Sequence, residues 1–461
     1  MAFLDTQKGD FMTKTYRAKR RALVLLLSFI VIGIAATYLP VQARGKSAAF
    51  FGHLSYQNLV MAPGSNESQR RFTWFTDQPL GWISYRVQGA DSFILIRAEN
   101  SASVARSGQY IHRVAIYGLL PSTTYEYKLI GANGFQSQIY TFNTSNFNDF
   151  SFLIVGDIQI GAGTVEGDSQ SWRNTMNIAT ANFPSAGMVL SAGDQVHQGG
   201  SINAYNGLFS PPQFSRLPFA PTVGNHDSGT RFFMEHSNIP NVTSFGTGAT
   251  QMNYWFRYGS ALFIVLNSNT TYIGAHRGFM EEVINNNLDA AWRVVMFHHG
   301  PYTEFRALHY APGVAIRNYW IPVFDSLGID VVLNGHCHAY SRTFQMVGNE
   351  PRNNQLWLYE GGFRHDMTGL LYNTVLDPTG TVYFTFNSST GNRFYSLAGR
   401  NPRFFTAARN QAYLPNFSVA NVTNTRLSIT TYQVNPSGTI TEIDSYTIVR
   451  SALPDIVTEY E

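Results

Sequence analysis

The chain has 461 residues, of which 44% are hydrophobic and 14% aromatic, enough to build sizeable cores in two or three domains, while only 13% are charged. Six basic and two acidic residues fall within the first 43, so the formal net charge of +3 drops to about −1 without them, and no basic stripe remains to point to nucleic acid. Cys337 is the single cysteine, which excludes an internal disulfide.

Residues 1–43 form a block of their own. Lys8, Lys14, Arg17, Lys19, Arg20 and Arg21 precede an uncharged apolar run at 22–39, and Val41-Gln42-Ala43 has the small-x-small form of a cleavage site. A secretory signal peptide is the first reading and an uncleaved membrane anchor the second. Either places the rest of the chain outside the membrane, secreted or at the cell surface.

From 50 to 146 the pattern is all strand. Segments at 71–75, 81–87, 93–96 and 110–117 alternate with period two between Gly, Pro and Ser punctuation, which predicts a β-sandwich of about a hundred residues. The stretch Leu120-Pro121-Ser122-Thr123-Thr124-Tyr125 resembles the corner of fibronectin type III domains, where a tyrosine hydroxyl ties a strand start back to upstream backbone. No metal-binding or nucleophilic constellation occurs here, so the segment reads as a spacer or substrate-shaping module.

From 148 to 450 strands alternate with helices. Trp172, Met176, Ala179 and Phe183 share one helical face; Met280, Val283, Ile284 and Leu288 share another. Trp320, Val323, Phe324 and Leu327 make a third, with Pro322 kinking or restarting the helix. These stripes predict core. A loop-rich stretch spans 227–251, and strands at 380–386, 427–434 and 439–449 are expected to finish a second sheet.

Five apolar strands in this region end abruptly in polar residues. They lead into Gly156-Asp157, Gly193-Asp194, Gly224-Asn225-His226-Asp227, His298-His299 and Asn334-Gly335-His336-Cys337-His338. Polar groups beyond the carboxyl ends of sheet strands can converge although far apart in sequence. Carboxylates, an amide oxygen and imidazoles, without thiolate, suit divalent or trivalent first-row metals.

The ordered set resembles the calcineurin-like metallophosphoesterases. Gly335-His336-Cys337-His338-Ala339-Tyr340-x-Arg342 is similar to the signature of the purple acid phosphatases, which place a fibronectin-like sandwich before the catalytic domain. The resemblance implies an N-terminal all-β sandwich followed by an α/β domain of two packed sheets flanked by helices. It implies two metal ions (iron, manganese, zinc or similar), held by Asp157, the bridging Asp194 and His338 on one side and by Asp194, Asn225, His336 and one histidine of a pair on the other. His299 is chosen because the family ligand stands two residues before a proline, here Pro301; His298 is the alternative.

Two departures matter. The family's tyrosine ligand is replaced by His197, so a tyrosinate-to-iron colour is not expected. The first motif is Asp-x-Gln, so Gln159 could supply a ligand through its amide oxygen. His226 matches a histidine that contacts the phosphoryl group, and His309 one implicated in protonating the leaving group; His197 becomes a free imidazole near the pocket. The implied activity is hydrolysis of a small phosphorylated substrate, a monoester first, by water activated between two cations. The alternatives are a phosphodiesterase or nucleotide hydrolase, and a surface binding protein with a vestigial centre.

Overall fold

The computed structural model describes residues 56–103, 105–243, 252–270, 272–305, 311–352, 355–359, 362–366 and 373–451. The predicted leader at 1–43 and His309 lie outside the described residues. Among the described residues no helix is long and apolar enough to cross a membrane.

The first hundred described residues make two four-stranded antiparallel sheets. One runs in the order Gln57–Pro63, Arg70–Thr76, Tyr110–Ile116, Glu99–Ala102, and the other Ile94–Arg97, Gly81–Val87, Thr124–Gly131, Tyr140–Asn143. Alternate residues point inward, so Phe72, Trp74, Ile83, Val114, Tyr127 and Leu129 close a shared core. The expected tyrosine corner is present: the backbone N–H of Leu120 donates to the Tyr125 hydroxyl at 2.9 Å.

Two larger sheets follow. The nine-stranded one has Asp149–Val155 between parallel Ala186–Ser191 and antiparallel Asn416–Thr423. The seven-stranded one carries Ala261–Val265, Trp292–His299, Val331–Gly335 and Val382–Thr385 as parallel neighbours. Period-two alternation sorts each strand between two cores. Phe152, Ile154, Met188 and Leu190 meet Phe263, Val294, Met296 and Leu333 between the sheets. Leu153, Val155 and Val189 face the helix Val165–Asn182, and Ile264, Val295, Phe297 and Val332 face Ile273–Asn285 and Ile321–Leu327. Burial on both faces explains why these strands read as continuous apolar runs.

Two expectations change. The strands Arg426–Val434 and Ile440–Val449 do not finish the second sheet; they join the first through Asn416–Thr423, whose backbone pairs with the open edge of Asp149–Val155. The 380–386 segment alone enters the other sheet, as Val382–Thr385. Leu288 lies beyond the helix Ile273–Asn285 and is 69% exposed, because the chain turns at Asn286 before the next helical turn can bring it inward. Pro322 restarts a helix, following the separate Ala311–Tyr319.

The sandwich is fastened to the segment after the third motif. Arg71 Nε donates to the Asn238 carbonyl and side-chain oxygens at 3.1 Å, and Asn238 Nδ2 donates back to Phe72 O. Arg113 donates to Met234 O, while Ser103 Oγ and Ala105 N both donate to the buried Glu235 carboxylate.

Two buried histidines outside the motifs make stability pH-dependent. Burial pushes the His236 imidazole down to about 3 and that of His276 down to about 4. Below about pH 6.5 the unfolded chain takes up these protons and the folded chain does not. Their contribution is therefore full above pH 6.5 and declines as pH falls toward 4, by on the order of 1 kcal/mol per pH unit for each ring. Urea midpoints between pH 7 and 4.5 should show this slope, and His236→Asn with His276→Asn should flatten it. An unchanged slope in the double variant would assign the acid sensitivity elsewhere.

Candidate metal centre

Parallel register aligns the carboxyl ends of the motif strands. Val155 pairs with Ser191, Ser191 with Pro221, and His299 with Gly335, so the residues that follow gather at one edge of each sheet. The turns are tight and strained. Asp157, Gln159, Asp194, His336 and His338 all have positive φ, between 37° and 71°, a region non-glycine residues seldom adopt. A side chain at Gly224 would put its Cβ 2.0 Å from Asp194 Oδ1, so this glycine is required for the second and third motifs to touch.

Asp194 Oδ2 lies 3.1 Å from His298 Nε2, which is also 3.1 Å from Asn225 Oδ1. His336 Nδ1 is 3.1 Å from the same amide oxygen and 3.3 Å from His298 Nε2. Donor atoms of Asp194, His298 and His336 all fall within 4.8 Å of one another. Beside them His338 Nε2 faces Asp157 Oδ1 at 3.4 Å.

The backbone fixes the tautomers. His298 Nδ1–H donates to Ala192 O and His338 Nδ1–H to Arg393 O, which turns each Nε2 toward the cluster. Asp157 accepts from the His336 N–H, and Asp194 Oδ1 from the His226 N–H at 2.9 Å. Asp227 staples two motif loops together by accepting from Gln195, Val196 and Gly224 N–H groups.

The structure brings His298, the alternative to the chosen His299, to Asp194 and Asn225. Along Trp292–His299, Val294 and Met296 face the space between the sheets, and His298 shares their side. An extra residue between the Met296–Leu333 and His299–Gly335 pairs forms a bulge that turns His298 further inward. His299 sets its Nδ1 on Ser268 Oγ at 2.8 Å, with its ring centroid 4.7 Å from that of His336, beside a cavity of about 350 Å³ lined by Ser268, Asn269 and Ala311.

The other expected residues fall around this cluster. Gln159 is buried, and its amide oxygen has no hydrogen-bond partner. His197 stacks on His226 with ring centroids 4.6 Å apart, and His226 Nδ1–H donates to His197 O. Cys337 is buried.

Electrostatics favour cations. Burial pushes the Asp157 carboxyl well above its ordinary range, His298 opposing and Asp194 adding to the shift. Burial and the Asp194 charge raise Asp227 to about 7. His298 stands at about 9 because Asp194 and Asp157 outweigh its own desolvation. Burial, with His298 and His299 nearby, drives His336 down to about 2, keeping it a lone-pair donor. Hard oxygen and imidazole donors, an orphaned amide oxygen and compressed carboxylates fit a site for first-row metal ions.

A loop at 388–395, absent from the sequence reading, completes the wall. Ser388 Oγ donates to Asp157 O, Thr390 Oγ1 to Ile158 O, and Asn392 Nδ2 to Gln159 O at 3.0 Å. Its signal was available: Val382-Tyr383-Phe384-Thr385-Phe386 running into Asn387-Ser388-Ser389-Thr390-Gly391 repeats the apolar-strand-to-polar-loop design of the five motifs.

Residues 150–340 match the calcineurin-like phosphoesterase family, and residues 56–144 match the purple acid phosphatase N-terminal domain. The chain thus carries a calcineurin-like metallophosphoesterase domain behind a purple acid phosphatase N-terminal domain. Its relatives include purple acid phosphatase 1 of Ipomoea batatas, 26% identical over 53% of this chain and 54% of that protein. Another is the Fe(3+)-Zn(2+) purple acid phosphatase 12 of Arabidopsis thaliana, 24% identical over 51% of this chain and 52% of that protein. The chain spans about half the length of these relatives. The fold is similar to that of purple acid phosphatase PPD1 from yellow lupin (Lupinus luteus) seeds, with a TM-score of 0.67 at 16% identity, covering 87% of this chain and 75% of that one.

Proposed function

We propose that this chain is an exported binuclear-metal phosphohydrolase acting on phosphate monoesters. The observation that carries the reading is the convergence of Asp194, His298 and His336 donor atoms within 4.8 Å, beside the Asp157–His338 pair. In this reading Asp157, Gln159, His338 and Asp194 hold one cation, and Asp194, Asn225, His336 and His298 the second. Bound there, the cations would bring a water's pKa toward neutrality and offset charge on phosphoryl oxygens.

The protein's own groups prepare the rest. The Asp194 carboxylate, one oxygen tied by the His226 N–H, is oriented to lie between the two donor sets. The His226 ring, held through Nδ1, keeps Nε2 available for a phosphoryl oxygen, and the stacked His197 limits its rotation. His309 is assigned the proton for the departing alcohol. Export rests on the leader at 1–43, and amino-terminal sequencing of the exported protein would separate cleavage from anchoring.

Metal analysis of purified protein, coupled to a screen of monoesters and diesters, tests the reading. Two bound ions per chain and a monoester activity abolished by chelation are expected. Protein that cannot be loaded with metal, or that is inert once loaded, would overturn it.

A further inference from the structure

We infer that Arg393 is the specificity-determining residue for a doubly charged terminal phosphoryl group, selecting monoesters over diesters. The inference rests on the function proposed above and adds a substrate contact to that site.

Arg393 is placed by the loop at 388–395, which the Asn392, Thr390 and Ser388 side chains fasten to the first motif. Its carbonyl accepts from His338 Nδ1–H at 2.8 Å, so the residue stands one hydrogen bond from a proposed metal ligand. The exposed side chain leans over Tyr395, with the guanidinium carbon 5.3 Å from the ring centroid, and that ring is 4.8 Å from the His338 ring. Among the described residues no carboxylate pairs with it, whereas Arg342 and Arg409 are committed to Asp444 and Glu304.

An arginine fork at the rim of a phosphoryl site, stacked on an aromatic ring and without an internal counter-ion, suits bidentate contact with phosphate oxygens. A monoester offers three non-bridging oxygens and up to two charges; a diester offers two oxygens and one charge. The additional oxygen and charge are what this fork can read.

The test is separable, because the hydrogen bond from His338 Nδ1–H goes to the carbonyl of residue 393 and survives any side-chain change. Arg393→Ala, Arg393→Gln and Arg393→Lys would be compared with wild type on 4-nitrophenyl phosphate and bis(4-nitrophenyl) phosphate, alongside metal content and inorganic phosphate affinity. We expect kcat/KM for the monoester and the affinity for phosphate to fall roughly 10- to 100-fold in the Ala and Gln variants. Diester turnover should stay within about threefold, with Lys intermediate and metal content unchanged. Equal losses on both substrates, or none on either, would overturn the inference. Should the wild type prove inert to both esters, the functional reading fails, and phosphate affinity still decides the role of Arg393: a variant binding phosphate as wild type does would refute it.

Discussion

Asp194→Ala should lose essentially all phosphate-ester hydrolysis, more than about 100-fold, together with most bound metal. The residue is 1% exposed and its two oxygens face different partners, His226 N–H on one and His298 Nε2 on the other. Removing the carboxylate deletes the shared anion between two proposed cation sites. It also leaves the His298 imidazole, held at about 9 chiefly by Asp194 against its own burial, without its counter-charge. Asp194→Asn keeps the shape and the His226 contact while removing the charge, so it should retain the fold better than alanine yet remain nearly inactive. Metal content, urea midpoint and turnover measured on the same preparations separate the effects. A folded Asp194→Ala protein with two metals and normal turnover would sink the site.

The second large effect distinguishes adjacent histidines. His298→Ala should release one metal and nearly eliminate turnover, because its Nε2 stands between Asp194 and Asn225 while Nδ1 is fixed on Ala192 O. His299→Ala should keep both metals. It removes the ring from Ser268 Oγ and enlarges the adjoining cavity, so its effect should appear in KM or stability rather than in metal stoichiometry. Metal content and pH–rate profiles of both variants in one buffer decide the matter. Metal loss confined to His299→Ala would restore the spacing argument from Pro301.

That pair shows where sequence reading runs out. The five strand ends were legible because a strand buried on both faces is an unbroken apolar run, and its end is an abrupt change of chemistry. The sandwich strands were legible from period-two alternation between turn residues: the expected 81–87 and 110–117 appear as Gly81–Val87 and Tyr110–Ile116. The choice between His298 and His299 was not legible. It depends on strand parity carried from Met296 and on a bulge created by pairing with Val331–Gly335, which the local sequence does not encode. Sheet membership of Arg426–Val434 was hidden for the same reason, since its neighbour Asn416–Thr423 is placed by pairing with the distant Asp149–Val155. The 388–395 loop was missed because it opens on ordinary turn formers and carries no histidine or carboxylate.

The hydrogen bonds from Arg71, Arg113, Ser103 and Ala105 to the 234–238 segment bear on how this protein can be cut and recombined. A boundary drawn near residue 147 looks like a convenient place to excise the phosphoesterase half. Such a fragment would carry Glu235 and Asn238 stripped of their donors, only a few residues beyond Asn225 and His226. Grafting a foreign sandwich onto the same half would recover bulk and solubility without recovering those donors. The two halves are therefore exchangeable between relatives only as a matched pair, and a chimera should be planned around that seam before its linker.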